Sequence, residues 1–260
     1  MELDAIRAAV RAQPPLVQCI TNYVSMDITA NVLNAAGASP AMVHDVEEAG
    51  EFAALASAVV INIGTPSPPW VDGMRAAARS AADAGTPWVL DPVAVGATSY
   101  RRRIVDELLA LRPTVVRGNA SEIATLATAV AGGRGVDSVL TPAEVLEPAR
   151  GLARELGAAV AVTGPEDFVT DGRRTVLVGG GDPRMPLITA LGCALSGLTG
   201  AFLAVEDDPV RATAAALATM ADAGRAAGVQ AGGPGSLRWA LLDQMADDSR
   251  RSLDTLVRAG

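Results

Sequence analysis

The chain has 260 residues, half of them hydrophobic and 19% charged, so it can bury a large core without disulfides or metal ions to hold it together. A net charge of −8 argues against general nucleic-acid binding, which needs a basic surface. The basic residues are all arginines and the only histidine is His44, which excludes lysine-dependent phosphate sites and multi-histidine metal sites.

The sequence also predicts where the protein works. Its first residues are acidic, unlike an export leader, and the apolar run 194–205 is too short and glycine-rich to cross a bilayer. Cys19 and Cys193 lie far apart and lack metal-ligand spacing. We therefore expect a cytoplasmic enzyme with reduced thiols that binds neither membranes nor nucleic acids.

Short β-rich runs alternate with longer alanine-rich stretches, which indicates strand–helix units around a mostly parallel sheet with helices on both faces. The last two strands flank Asp171 and Gly172, a hairpin signal, so we expect a short antiparallel portion. The predicted strands are residues 16–20, 40–43, 58–63, 87–91, 114–117, 158–163, 167–170 and 175–178.

Four helices carry clear boundary signals. One begins at Ser67 and ends near Gly85. Another begins at Thr141, where an N-cap threonine, a proline and a capping-box glutamate follow one another, and ends at Gly157. Two more are predicted over residues 208–228 and 236–246. No repeat or linker interrupts the chain, so residues 1–260 are expected to form a single domain.

Polar residues and glycines cluster at the predicted strand ends. In an open parallel sheet, ligands bind just beyond the carboxyl ends of the strands, so this edge is the expected binding face. The residues at these ends are Thr21, Asn22, Met42, His44, Asn62, Gly64, Thr65, Asp91, Arg117, Gly118, Asn119, Thr163 and Gly164.

Two carboxylates and an arginine suggest phosphate chemistry at this edge. Asp91 and Glu122 suit Mg²⁺, which binds through waters and substrate phosphates. Arg117 presents a planar fork that fits a phosphate, although a surface salt bridge is an equal alternative. Asn119 and Glu122 alone would predict only a helix cap, and the company of Asp91 and Arg117 favours the functional interpretation.

Residues 189–193 lead into a helix of small residues, whose first turn presents free amides to an anion. Cys193 in this turn is either a polar catalytic group with a lowered pKa or a small buried hydrophobe, and residue chemistry alone favours the second. Other conspicuous side chains are given structural roles: Cys19, Trp70, Trp88 and Trp239 in packing, His44 in a loop, and Arg101, Arg102 and Arg103 on a solvated helix face.

Taken together, the motifs resemble the hydroxyethylthiazole kinase family, a branch of the ribokinase-like superfamily. Each motif is weak alone, but they stand in the family's order along nearly the whole chain. They are residues 20–24 (ITNYV), 29–31 (TAN), 37–42 (GASPAM), 47–48 (EE), 62–65 (NIGT), 90–93 (LDPV), 96–98 (GAT), 117–122 (RGNASE), 163–164 (TG), 192–193 (GC) and 233–236 (GPGS).

The resemblance implies a ribokinase-like three-layer α/β fold and a homotrimer with active sites between subunits. It implies transfer of the γ-phosphate of ATP, with Mg²⁺, to the primary hydroxyl of 4-methyl-5-(2-hydroxyethyl)thiazole, a step that depends on positioning and charge neutralisation. It also implies roles for individual residues: Cys193, Gly192 and Arg117 in catalysis; Asn22, Val24, Met42, Gly64 and Ala190 in substrate binding; Arg117, Asn119, Thr163 and Gly164 in ATP binding; Asp91 and Glu122 at the metal.

Cys193 stands where most ribokinase-like enzymes have an aspartate base, and we expect it to orient or assist the hydroxyl. Two positions depart from the family's pattern. Gln18 replaces a usual histidine, and the anion-hole loop carries Ala190 and Leu191 where the family reads Gly-x before Gly-Cys. An alanine there predicts strain or a misdirected amide, because glycine alone enters positive φ freely.

Two alternatives stay open. One keeps the fold but changes the reaction, to a kinase for another small alcohol such as a pyrimidine alcohol, or to an ATP-dependent hydrate dehydratase. The Asn22 and Met42 motifs favour the thiazole kinase over both. The other, motivated by Ala190 and Leu191, is a weakly active or non-catalytic protein that binds thiazole or nucleotide.

Overall fold

The computed structural model describes residues 1–130, 141–247 and 252–260, which contain ten α-helices and nine strands. The strands are β1 (Leu16–Ile20), β2 (Ser39–Ala41), β3 (Ala58–Asn62), β4 (Trp88–Asp91), β5 (Val115–Asn119), β6 (Ala159–Thr163), β7 (Asp167–Thr170), β8 (Thr175–Val178) and β9 (Val257–Ala259). The helices are α1 (Leu3–Ala12), α2 (Met26–Ala36), α3 (Val46–Leu55), α4 (Pro68–Ala84), α5 (Ser99–Leu109), α6 (Ala120–Val130), α7 (Leu146–Leu156), α8 (Leu191–Leu203), α9 (Pro209–Gln230) and α10 (Pro234–Ala246).

All nine strands join one sheet in the order β2-β1-β3-β4-β5-β6-β7-β8-β9. The pairs from β2 to β6 are parallel, and the three pairs from β6 to β9 are antiparallel. This confirms the predicted mostly parallel sheet and its antiparallel hairpin between β7 and β8. The order places the carboxyl ends of β1, β3, β4, β5 and β6 side by side.

Helices cover both faces of the sheet, as the three-layer prediction requires. One hydrophobic core joins α1, α2, α8, α9 and α10 to sheet residues such as Val60 and Ala161. The other core joins the five helices from α3 through α7 to the opposite face of the sheet, which includes Ile61 and Val162, the residues next to Val60 and Ala161 in the chain. Successive side chains of a strand point to opposite faces, so β1 and β3 to β7 contribute alternate residues to the two cores.

Several predicted boundaries differ from the observed ones. β2 ends at Ala41, earlier than expected, and β5 continues to Asn119. The helix expected from Thr141 begins as a 3₁₀ turn, Pro142–Val145, before α7, although its capping box is present. The strand β9 was not predicted because its three residues hold no apolar run, and it forms only by pairing with β8.

The tryptophans do not behave alike. Trp70 and Trp88 are buried, as predicted. The packing role predicted for Trp239 is wrong: its side chain is 65% exposed on α10, where the Arg238 guanidinium lies 5.5 Å from its ring centroid. No helix in the described ranges combines the length and the apolar character needed to cross a membrane.

Candidate active site

A chain of buried polar side chains runs along the carboxyl edge of the sheet. Asn22 Nδ2 donates to Asn62 Oδ1 at 2.8 Å, and Asn62 Nδ2 donates to Asp91 Oδ2 at 2.7 Å. The pairing of β3 with β4 sets Asn62 opposite Asp91 and makes the second contact possible. Ser196, one turn into α8, also donates to Asp91 Oδ2, at 2.8 Å. The edge is therefore tied to the helix that follows the predicted anion-hole loop.

Asp91 is held in an environment that resists its negative charge. Its side chain is 1% exposed, and burial raises the pKa of the carboxyl to about 6 although Arg117 acts to lower it. The carboxylate of Glu122 adds to the increase in pKa, which shows that the two predicted metal residues interact electrostatically. A bound cation would relieve both effects.

Arg117 is a buried cation rather than a member of a surface salt bridge. The residue lies in β5. Its Nη1 is 3.7 Å from Asp91 Oδ2, and its Nη2 donates to Thr163 Oγ1. Its Nε is buried and has no hydrogen-bond partner among the described residues. A Cβ added to Gly192 would lie 3.0 Å from Arg117 Nη1, so this glycine lets the guanidinium approach the start of α8 closely.

Cys193 lies in the first turn of α8, where its Sγ accepts a hydrogen bond from Asn22 Nδ2 at 3.4 Å. Burial, followed by the carboxylate of Asp91, raises the pKa of the thiol above its ordinary value. The option of a thiol with a lowered pKa is therefore wrong, because desolvation and a nearby anion outweigh the opposing influence of Asn22, Asn62 and Arg117 on the pKa. At neutral pH Cys193 is a thiol within hydrogen-bond reach of the polar chain.

Ala190, immediately before α8, adopts a φ of 63° and a ψ of 12°. This is the left-handed conformation expected at the family's glycine, and an alanine enters it at a cost of about 1 kcal/mol. The predicted backbone strain is thus present. Ala190, Gly192 and Leu191 line the same cavity as Arg117.

That cavity has a volume of about 710 Å³ and lies beside the carboxyl ends of β5 and β6. Arg117, Thr163 and Gly164 line one side, and the segment 180–192 forms much of the rest. The volume is within the range of small-molecule sites. The sequence prediction that Arg117, Thr163 and Gly164 share a site with the anion-hole loop agrees with this geometry.

Asn119 and Glu122 form the helix cap that their sequence suggested. Asn119 Oδ1 accepts from Glu122 N at 2.9 Å, and Glu122 Oε2 accepts from Asn119 N at 2.8 Å. Glu122 Oε1 also accepts from Ala94 N at 2.9 Å, which joins α6 to the loop after β4. Because each oxygen accepts one backbone N–H, the carboxylate keeps lone pairs for a cation. Across the described parts of the chain, no three histidine, cysteine, aspartate or glutamate side chains lie close enough together to hold a metal ion.

The predicted thiazole residues lie on the other side of the polar chain. Asn22 Oδ1 accepts from Val24 N at 3.1 Å, and a Cβ at Gly64 would overlap the amide of Asn22, so these two residues pack tightly. Val24 is 60% exposed and Met42 is half-buried. Asn22, Val24, Met42 and Gly64 are all absent from the lining of the 710 Å³ cavity.

Sequence reasoning missed three contributors to this edge. Ser196 had a signal, since it is one of only two hydroxyl side chains in an otherwise apolar helix, the other being Thr199. Asp167, which lines the cavity, also had a signal, because it is a carboxylate only three residues after the predicted ATP-binding residue Gly164. Arg101 had none, and its assignment to a solvated face is wrong: its guanidinium donates to the carbonyls of Ile63, Val93 and Gly64 and holds two strand-end loops together.

Gln18 and His44 have structural partners. Gln18 Nε2 donates to the carbonyls of Val43 and Ala49, at 3.0 and 3.1 Å, so the residue that departs from the family's histidine links β1 to α3. His44 stacks on Trp70 with ring centroids 3.9 Å apart, which makes it a packed side chain rather than a freely solvated one.

Comparison with known proteins identifies the chain's relatives. It matches the family model of the hydroxyethylthiazole kinase family over residues 7–249. The chain belongs to this family. It is 60% identical over 249 residues to a hydroxyethylthiazole kinase of Cereibacter sphaeroides, covering 96% of this chain and 95% of the relative. It is 59% identical over 256 residues to one from Rhizobium johnstonii, covering 98% and 96%.

Solved structures agree with this family and with the predicted fold. A hydroxyethylthiazole kinase protein from Pyrococcus horikoshii OT3 superposes with a TM-score of 0.91 and 39% identity, covering 99% of this chain and 98% of its own. A Bacillus subtilis pyridoxal kinase superposes with a TM-score of 0.61 at 17% identity, covering 81% and 92%. The second likeness concerns the fold alone and confirms the ribokinase-like architecture.

Proposed function

We propose that this chain is a hydroxyethylthiazole kinase that phosphorylates the primary hydroxyl of 4-methyl-5-(2-hydroxyethyl)thiazole with ATP. The product is the thiazole phosphate used to make or salvage thiamine. The observation that carries the proposal is the meeting of Asp91, Arg117 and Cys193 at the start of α8, beside a cavity of about 710 Å³, in a member of this family. Phosphoryl transfer depends mainly on such positioning and charge stabilisation.

The phosphate side of the site consists of Arg117 and the start of α8. Arg117 is a buried cation whose Nε has no hydrogen-bond partner among the described residues, which suits it to bind the charge on the transferring phosphate. The backbone amides of Gly192 and Cys193, in the first turn of α8, act as the anion hole. Thr163, Gly164 and Asn119, at the ends of β5 and β6, contact ATP.

Asp91 and Glu122 are the residues that would hold Mg²⁺. They fit because Asp91 is desolvated and the two carboxylates repel each other. Among the described residues no third carboxylate, histidine or cysteine completes a metal site with them, as is usual for Mg²⁺ sites filled by water and phosphate. When bound, the ion neutralises phosphate charge. Asn62 and Ser196 hold Asp91 Oδ2 in place for this role.

Cys193 positions the substrate hydroxyl rather than acting as a strong base. Its pKa is raised, so it stays protonated at neutral pH and acts as a hydrogen-bonding group held by Asn22. The thiazole ring binds against Asn22, Val24, Met42, Gly64 and Ala190. Ala190 lines the nucleotide cavity, whereas the other four residues lie across the polar chain from it, so the hydroxyl and the γ-phosphate approach each other at Cys193.

The active form is a homotrimer of single-domain subunits in the cytoplasm, with each thiazole pocket completed by a neighbour. Support comes from Tyr23 and Val24, adjacent apolar side chains that are 64% and 60% exposed next to Asn22. Contiguous exposed apolar surface beside a site is typical of an interface.

The strained Ala190 favours one competing function, a thiazole or nucleotide binder with little turnover. Purified protein mixed with the thiazole alcohol, ATP and Mg²⁺ distinguishes the two. We expect the thiazole monophosphate and ADP in equal amounts, and neither without the divalent cation. Tight binding of the thiazole with no product at saturating Mg²⁺-ATP would reject the kinase and support the binder. Pyridoxal as the acceptor serves as the specificity control.

A further inference from the structure

Asp167 is a carboxylate that lines the nucleotide cavity and has no role in the proposed phosphoryl transfer. It begins β7, and its Oδ1 accepts the backbone N–H of Gly164 at 2.8 Å. Within the described parts of the chain, no hydrogen bond reaches its Oδ2. Burial raises the pKa of this carboxyl to about 6, against the opposing influence of Arg117. The fold therefore retains a half-satisfied carboxylate in a place unfavourable to its charge.

The turn alone does not require a carboxylate here. The contact with Gly164 uses one oxygen, and a neutral asparagine would supply the same acceptor. Asp182 shows the contrast, since it is the other carboxylate among the described residues lining the cavity. Arg184 donates to both of its oxygens, at 2.7 and 2.8 Å, so Asp182 is occupied by the protein. Asp167 Oδ2 is left for a ligand.

A carboxylate in a nucleotide cavity selects hydrogen-bond donors, because it repels phosphate oxygens. The donors of an adenine nucleotide are its ribose hydroxyls and its base amino group. Asp167 contacts Gly164 and interacts with Arg117, both at the proposed phosphate end. The cavity's apolar lining, which suits a base, is provided by Met185, Pro186 and Met220. The ribose is the part of a nucleotide that adjoins its phosphates.

We propose that Asp167 accepts a hydrogen bond from a ribose hydroxyl and makes this site select ribonucleotides over deoxyribonucleotides. The inference rests on the proposed kinase function, since it assigns a specificity residue to the same site. A hydrogen bond to a charged acceptor distinguishes ligands by roughly 10- to 100-fold.

Calorimetric titration of the full-length protein with ADP, 2′-deoxy-ADP, 3′-deoxy-ADP and inosine diphosphate tests this. We expect at least one deoxy analogue to bind the wild type about tenfold or more weakly than ADP. In Asp167→Asn that ratio should fall to within about threefold, while the ratio of inosine diphosphate to ADP stays as in the wild type. KM for ATP and 2′-deoxy-ATP gives a second measure.

The matched control is Glu166→Gln. Glu166 is the adjacent carboxylate, but it is exposed and pairs with Arg258, so its amide should keep the wild-type ratios. A merely structural Asp167 would weaken all four nucleotides equally in Asp167→Asn and overturn the inference. Equal binding of ADP and both deoxy analogues by the wild type would overturn it while leaving the kinase intact. Failure of the wild type to bind ADP at all would overturn both proposals.

Discussion

Ala190 adopts the left-handed backbone conformation, which is unfavourable for alanine. Its φ of 63° places it immediately before α8, whose first-turn amides form the proposed anion hole. Glycine reaches the same conformation without a Cβ penalty. The next residue, Leu191, is buried in the core, which fixes the start of the helix and leaves Ala190 to absorb the strain.

Replacing Ala190 with glycine should release that strain. We expect Ala190→Gly to raise kcat, by up to about 10²-fold if the alanine now misdirects one donor of the hole, with nearly unchanged thiazole affinity. Stability should change little, because relief of about 1 kcal/mol is offset by the greater freedom of glycine in the unfolded chain. Single-turnover phosphorylation is the measurement. Arg112→Gly, which also changes a residue at positive φ but lies just before β5, at the opposite edge of the sheet from the site, controls for the backbone effect alone. Equal or slower chemistry in Ala190→Gly would show that the loop works as it stands.

Asp91 couples function to stability. Its folded pKa of about 6 lies above the unfolded value near 3.9, so folding takes up a proton between these values. A raised carboxyl pKa means that its contribution is most favourable below about pH 4 and is lost as the pH rises through 6. The charged carboxylate is retained because the proposed metal site needs it.

Asp91→Asn should therefore reduce kcat sharply while it flattens this pH dependence. Relative to the wild type, the variant's free energy of unfolding without Mg²⁺ should rise by roughly 2 kcal/mol between pH 4 and pH 7. Urea titrations at both pH values give the difference. Asp72→Asn, at an exposed site, serves as the control. A constant difference between wild type and variant across this range would contradict the raised pKa.

At the scale of elements, helix α9 packs against the segment 180–192, which lines much of the cavity. Gly224 faces Met185 and Gly228 faces Asp182 so closely that an added Cβ would overlap either side chain. Arg184 then donates to the carbonyls of Gly228 and Ala231 at the end of α9. The two glycines and Arg184 thus fix the segment that leads to Ala190.

Gly228→Ala tests whether the close contact between α9 and Asp182 holds this segment in place. In a helix the exchange alone should stabilise by up to about 1 kcal/mol, so a net loss of roughly 1–2 kcal/mol would report the overlap with Asp182. We also expect a several-fold increase in KM for ATP, because the displaced segment lines the nucleotide cavity. Gly232→Ala, where an added Cβ meets nothing within 4 Å, should leave both values unchanged. A more stable Gly228→Ala protein with an unchanged KM would mean that the segment does not depend on this contact.

At the scale of the whole molecule, the surface beside the proposed thiazole residues is exposed. The exposed pair Tyr23 and Val24 borders it, and Tyr23 packs edge-on against Trp70 with ring centroids 4.6 Å apart. A neighbouring subunit seated there would bury this surface and close the pocket.

Light scattering should accordingly report a trimer, and Val24→Asp should dissociate it and abolish activity together. The control is Leu55→Asp, which changes an equally exposed residue just before β3, at the opposite edge of the sheet from the site. It should leave assembly and activity intact. A fully active wild-type monomer would remove the shared pocket from the proposal.

The fold and much of the site followed from local signals in the chain. Apolar runs, glycines and prolines specify strands and helix ends through neighbouring residues, and the parallel order then brings Asn22, Asn62, Asp91, Arg117 and Thr163 to one edge. The family motifs are also local, since each is a short run of neighbouring residues, and their order along the chain is enough to indicate the family.

Other features were decided only by residues distant in sequence. Trp239 is exposed and Arg101 is bound by carbonyls because of which elements lie beside them. Strand β9 exists only where β8 offers a free edge. The raised pKa of Cys193 and the strained φ of Ala190 depend on burial and on contacts across the fold. So does the Asp167 oxygen that accepts no hydrogen bond from the described residues. The sequence determines which groups reach the site, whereas desolvation and long-range contacts in the tertiary structure determine how those groups behave there.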